Sequence, residues 1–103
     1  MAWMKVAKVG GIPSGFMRGY EVAGKKVAVA NVGDRLYAFE DRCTHAGGKL
    51  SKGLLMGGHV MCPLHAAAFD VATGKVVAAP ATAPVSTYPV KVEGDDVLVD
   101  LPS

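Results

Sequence analysis

Apolar and polar residues alternate in short runs along nearly all of this chain, and the runs are divided by turn residues. A period of two puts successive side chains on opposite faces of a strand, so the pattern predicts short antiparallel strands over 3–9, 16–22, 26–32 and 35–39. Gly10-Gly11-Ile12-Pro13, Ala23-Gly24 and Gly33-Asp34 supply the turns between them. Further along, 54–56 and 59–61 flank Gly57-Gly58, a two-residue hairpin signal. Segments 67–70 and 75–77 flank Thr73-Gly74, and 88–93 with 97–101 form a last hairpin around Gly94-Asp95. No stretch sustains a helical period, and no internal repeat, linker or low-complexity tail interrupts the pattern. The expectation is one all-β domain over 1–103, an antiparallel β-sandwich built from both ends of the chain, with residues of about 42–69 inserted as a smaller subdomain.

Length and charge narrow the function classes. At 103 residues there is room for one modest core and little for a separate catalytic domain. No run of some eighteen apolar residues suggests a membrane span, and residues 1–10 are too short and too charged for a secretory core, so a cytoplasmic protein without membrane attachment is expected. Eleven Lys and Arg against nine Asp and Glu give a formal charge of +2, too mild for nucleic-acid binding. The cations are scattered along the sequence and read as a solvated surface.

Chemistry concentrates in four residues. Cys43 and His45 form a Cys-x-His pair, sixteen residues intervene, and Cys62 and His65 form a Cys-x-x-His pair; there are no other cysteines. Two thiolates and two imidazoles, one of each from two loops, match a [2Fe–2S] cluster in which one iron takes sulfur and the other nitrogen. Cys₂His₂ is also a zinc set, although zinc fingers usually group their cysteines together and their histidines together. A Cys43–Cys62 disulfide would consume both thiols and leave the histidines unexplained. His59 lies outside the pairs and reads as a surface or strand residue. Trp3, Tyr20, Tyr37, Phe39 and Tyr88 read as packing and not as an electron path.

The surroundings of the four residues resemble a known family. Cys43-Thr44-His45-Ala46-Gly47-Gly48 and Cys62-Pro63-Leu64-His65-Ala66-Ala67-Ala68-Phe69-Asp70 are similar to the two cluster-binding loops of Rieske-type proteins. Pro80-Ala81-Thr82-Ala83-Pro84 resembles the proline loop that covers the cluster there. The resemblance implies one [2Fe–2S] cluster per chain, Cys43 and Cys62 on the inner iron, and His45 and His65 on the outer iron near solvent, where the docking tip would lie. One departure is Ala66, where the family usually has glycine.

Further positions suggest the branch. Respiratory Rieske proteins have an extra cysteine in each loop where this chain has Gly48 and Leu64, and a Ser and a Tyr where it has Ala67 and Phe69. Hydroxyl donors to sulfur stabilise the more negative reduced cluster, so their absence implies a potential toward the low end of the Rieske range of about −150 to +300 mV. The resemblance therefore implies a monomeric ferredoxin passing electrons from a flavin-dependent reductase to a terminal oxygenase in an aromatic-ring hydroxylating dioxygenase or monooxygenase system. Two other classes remain open: a Rieske-like small subunit of a larger enzyme such as NAD(P)H-dependent nitrite reductase, and a zinc-bound interaction module. Catalysis by the chain alone is not expected, because no nucleophile–base pair or phosphate loop is present.

Overall fold

Strand β3 (Lys25–Val32) alternates valine with alanine, yet residues from both of its faces are buried. Val27 and Val29 enter one hydrophobic core, while Ala28 and Ala30 enter another. A strand whose two faces are covered reads as a continuous apolar run, and β3 is accordingly the spine of the middle layer. Its partner β4 (Arg35–Glu40) complements it in volume: Ala28 faces Phe39, Ala30 faces Tyr37, and Val29 faces Ala38.

The computed structural model describes residues 2–43, 48–63, 67–79 and 83–101. Among the described residues, three antiparallel sheets make up the fold. The base sheet has the order β1-β11-β10, with β1 Ala2–Lys8, β10 Val90–Glu93 and β11 Asp96–Leu101. The middle sheet has the order β2-β3-β4-β9, with β2 Met17–Val22 and β9 Thr87–Tyr88. The third has the order β5-β6-β7-β8, with β5 Leu54–Met56, β6 His59–Met61, β7 Ala68–Asp70 and β8 Val76–Ala78. No helix among the described residues is long and apolar enough to cross a membrane.

The base core groups the middle sheet's Val27, Val29 and Ala38 with Val97, Val99 and Leu101 of β11 and with Ile12. The second core packs the opposite face, through Ala28, Ala30 and Phe39, against Val60, Phe69 and Val71 of the third sheet and its exit. Each fully buried valine or phenylalanine stabilises this stack by about 1.5–3 kcal/mol relative to exposure. Cys43, Cys62 and Leu50 belong to the second core, so the cysteines sit between the middle and third sheets.

Two differences from the sequence pattern have local causes. Residues 88–93 read as one strand, but Pro89 divides them. Pro89 has no N–H to donate; its carbonyl accepts from Asp100 N–H at 3.0 Å, and the chain passes there from the middle sheet to the base sheet. Leu50–Lys52 forms a single 3₁₀ turn with Leu50 fully buried, too short to produce any periodic signal. Phe39 is core and Tyr20, Tyr37 and Tyr88 are partly buried at core edges, whereas Trp3 is 41 % exposed and lies under the Lys91 ammonium.

Candidate metal centre

Cys43 follows β4 and Cys62 follows β6, and both are buried free thiols, 1 % and 2 % exposed. Each begins a loop closed in the same way. The Cys43 N–H donates to the Gly48 carbonyl at 2.8 Å, and the Cys62 N–H donates to the Ala67 carbonyl at 2.6 Å, five residues on in both cases. A third closure joins residues further along, where Val85 N–H donates to the Gly74 carbonyl at 2.9 Å. These three bonds bracket the residues that the sequence pattern marks as two ligand loops and a proline cover. His45, His65 and Pro80 lie outside the described residues, as does Ala66.

Residues without any sequence signal hold the necks of these loops. Asp41 is 3 % exposed, and its carboxylate accepts Ser51 N–H at 2.7 Å and the Ser51 hydroxyl at 2.6 Å. Asp41 precedes the Cys43 loop and Ser51 follows it, so one carboxylate ties entry to exit. Gly19 makes room: a Cβ there would lie 2.5 Å from Ser51 Oγ and 2.6 Å from Asp41 Oδ2. Gly53 brings the two loops together, because its Cα side faces the backbone of Met61, the residue before Cys62, and a Cβ would overlap the Met61 carbonyl oxygen. Neither aspartate–serine pairing nor close glycine approach leaves a periodic or motif trace, since both depend on contacts between residues well separated in sequence.

Removing the Ser51 hydroxyl tests the tie. Ser51→Ala leaves a buried carboxylate with one fewer charge-assisted bond, an expected loss of about 1–3 kcal/mol, visible as a lower melting temperature of the loaded protein. An unchanged melting temperature would mean that water replaces the hydroxyl without cost.

The chemistry of the donors fits an iron–sulfur group. Two deep thiols, one at the mouth of each of two equivalently closed loops, can each supply a thiolate from an apolar surround that limits water. The model of the Rieske [2Fe-2S] domain matches residues 2–89 of the sequence. The chain belongs to the Rieske [2Fe–2S] family.

Similarity extends over nearly the whole Rieske chain. It is 41 % identical over 99 residues to the ferredoxin component of the naphthalene 1,2-dioxygenase system of Pseudomonas aeruginosa, covering 96 % of this chain and 95 % of that one. The ferredoxin of carbazole 1,9a-dioxygenase from Nocardioides aromaticivorans IC177 superposes with a TM-score of 0.91 at 35 % identity, over 96 % of this chain and 97 % of that chain. A chain in the complex of reduced oxygenase and oxidized ferredoxin in carbazole 1,9a-dioxygenase superposes at 0.90 with 39 % identity, over 94 % and 91 %. This Rieske chain is thus an all-β ferredoxin with a [2Fe–2S] cofactor, an electron carrier.

Proposed function

We propose that this ferredoxin carries single electrons from a flavin-dependent reductase to the terminal oxygenase of an aromatic-ring hydroxylating system. The observation that carries the reading is the pair of buried thiols at the mouths of two equally closed loops, in a chain alike over its length to dioxygenase ferredoxins. Cys43 and Cys62 would bind one iron and His45 and His65 the other, within one Rieske unit whose cluster-binding part spans about residues 42–69. When bound, the cluster accepts and returns one electron. The protein's own part is to orient the thiolates through the Cys43–Gly48 and Cys62–Ala67 bonds and to keep water from them with Leu50, Val60 and Phe69. A cytoplasmic compartment, expected from the sequence, would keep both thiols available as ligands.

Ala67 and Phe69 bear on the potential. Both are fully buried in the core that holds the cysteines, and neither side chain has a hydroxyl to offer sulfur. A low midpoint within the Rieske range follows, as delivery of electrons to an oxygenase requires. Ala67→Ser and Phe69→Tyr are expected to raise it. If each new O–H···S bond favours the reduced state by ~1.4 kcal/mol, the one-electron couple moves by ~59 mV. Redox titration of the purified variants reads this directly. Potentials that stay level or fall, in variants that load the cluster and melt normally, would remove the hydrogen-bond basis for the oxygenase-type assignment.

A further inference from the structure

The cations that look scattered in sequence are sorted by the fold. Two adjoining clefts of about 430 and 410 Å³ flank the Cys43 loop and share Lys26, Asp41 and Lys49. Arg18, Lys25, Lys26, Arg42, Lys49 and Lys52 line them, against three carboxylates, Glu21, Glu40 and Asp41. Asp41 is already committed to Ser51. Of the 11 cations and nine carboxylates in the chain, the rest of the molecule therefore keeps five and six, so the net positive charge lies at this one place.

Ion pairing follows the same division. Lys5 and Lys8 bond Asp96 at 3.3 and 2.7 Å, and Lys91 bonds Glu93 at 3.2 Å; all three are in the base sheet. Among the described residues, none of the six cleft cations makes a salt bridge. Arg42 and Lys49 are immediately outside the Cys43–Gly48 closing bond, one on each strand of the loop neck. Lys25 and Lys26 reach the same end, since the Lys26 carbonyl accepts Asp41 N–H at 3.0 Å. Cations that no carboxylate pairs among the described residues leave a net positive field beside the loop, which draws an anionic partner in from a distance.

We propose that the cationic clefts at the neck of the Cys43 loop are the docking face for the acidic surface of a protein redox partner. This inference rests on the electron-carrier reading and adds to it the face and the charge of the partner. A protein surface is favoured over nucleic acid because Glu21 and Glu40 interleave with the cations, whereas a phosphate backbone calls for an unbroken basic stripe and a more basic domain. Attraction of this kind acts through solvent, so it raises the association rate and fades once salt shortens the Debye length below about 8 Å.

The test compares two triple variants of the cluster-loaded chain with equal charge. One is Lys25→Gln, Lys26→Gln, Lys49→Gln at the neck; the other is Lys8→Gln, Arg35→Gln, Lys91→Gln at the far end, and each lowers the formal charge from +2 to −1. Poly-L-glutamate serves as the acidic polypeptide, its affinity measured by titration calorimetry at low salt. Affinity is expected to fall about tenfold or more in the neck variant and to stay within about twofold in the far-end variant, and added salt should erase the difference. In stopped flow, hexacyanoferrate(III) takes one electron from the reduced chain to give hexacyanoferrate(II). That rate should fall in the neck variant alone, and poly-L-glutamate should slow it in the parent protein. Equal losses in both variants would reduce the effect to net charge and overturn the proposal. So would a DNA duplex that binds the parent more tightly than poly-L-glutamate. Because the calorimetry needs no electron transfer, neck-selective binding by a chain that failed to take up iron would contradict the carrier reading and leave the docking face standing.

Discussion

Cys43→Ala and Cys62→Ala are each expected to yield a colourless protein that takes up no cluster. There are only two cysteines, so nothing else in the chain can replace a lost thiolate. Misfolding is a poor explanation for such a loss. Both sulfurs are buried in an apolar core, and an alanine at either place removes only one heavy atom from it. Metal binding is nevertheless coupled to folding, so each variant should melt with the iron-stripped parent protein and below the loaded one. Visible absorption and thermal melting on the same samples separate the two effects. A variant of either cysteine that kept the native spectrum would show that the thiolates are not the ligands.

Gly53→Ala is expected to be strongly destabilising although it leaves the donor atoms in place. The new methyl would overlap the Met61 carbonyl oxygen and come within 3.2 Å of Pro63 Cδ. The obstacle is backbone of the strand that leads into Cys62, so no rotamer change relieves it. Either the third sheet moves away from the Cys43 loop or β5 and β6 lose their pairing, in which Leu54 faces Met61. Overpacking of this kind costs about 3 kcal/mol, which lowers the melting temperature by roughly 10–20 °C in a domain of this size. Cluster content should fall with it, because the two loop mouths separate. Gly10→Ala is the control, since its Cβ would meet nothing within 4 Å. Equal melting of the two variants would mean that the crossing at Gly53 is looser than its geometry.

Most of the strand pattern was legible because it rests on local rules. Period-two runs and two-residue turns are written within a few neighbouring residues, and β2 through β8 begin and end within a residue or so of where those rules put them. The middle strand was legible as a strand but not as a two-sided one: alternating Val and Ala looks like ordinary alternation until both faces are seen to be covered. Pro89 hid a change of sheet inside one apolar run. At the candidate site, the motif marks two cysteines and two histidines by spacing, but not what holds the loops. The Asp41–Ser51 tie, the gap at Gly19 and the crossing at Gly53 are tertiary contacts between residues of ordinary type. Nor did the sequence separate paired from unpaired cations, since Lys8 and Asp96 meet across β1 and β11.

One [2Fe–2S] cluster held through mixed sulfur and nitrogen ligands, as proposed, would pass one electron at a time. Iron and acid-labile sulfide analysis with electron paramagnetic resonance, on protein purified without added metal, tests it most directly. The expected result is about two irons and two sulfides per chain, no signal when oxidised because the two ferric spins cancel, and about one unpaired spin after reduction. Stoichiometric zinc without sulfide, silent before and after reductant, would contradict it.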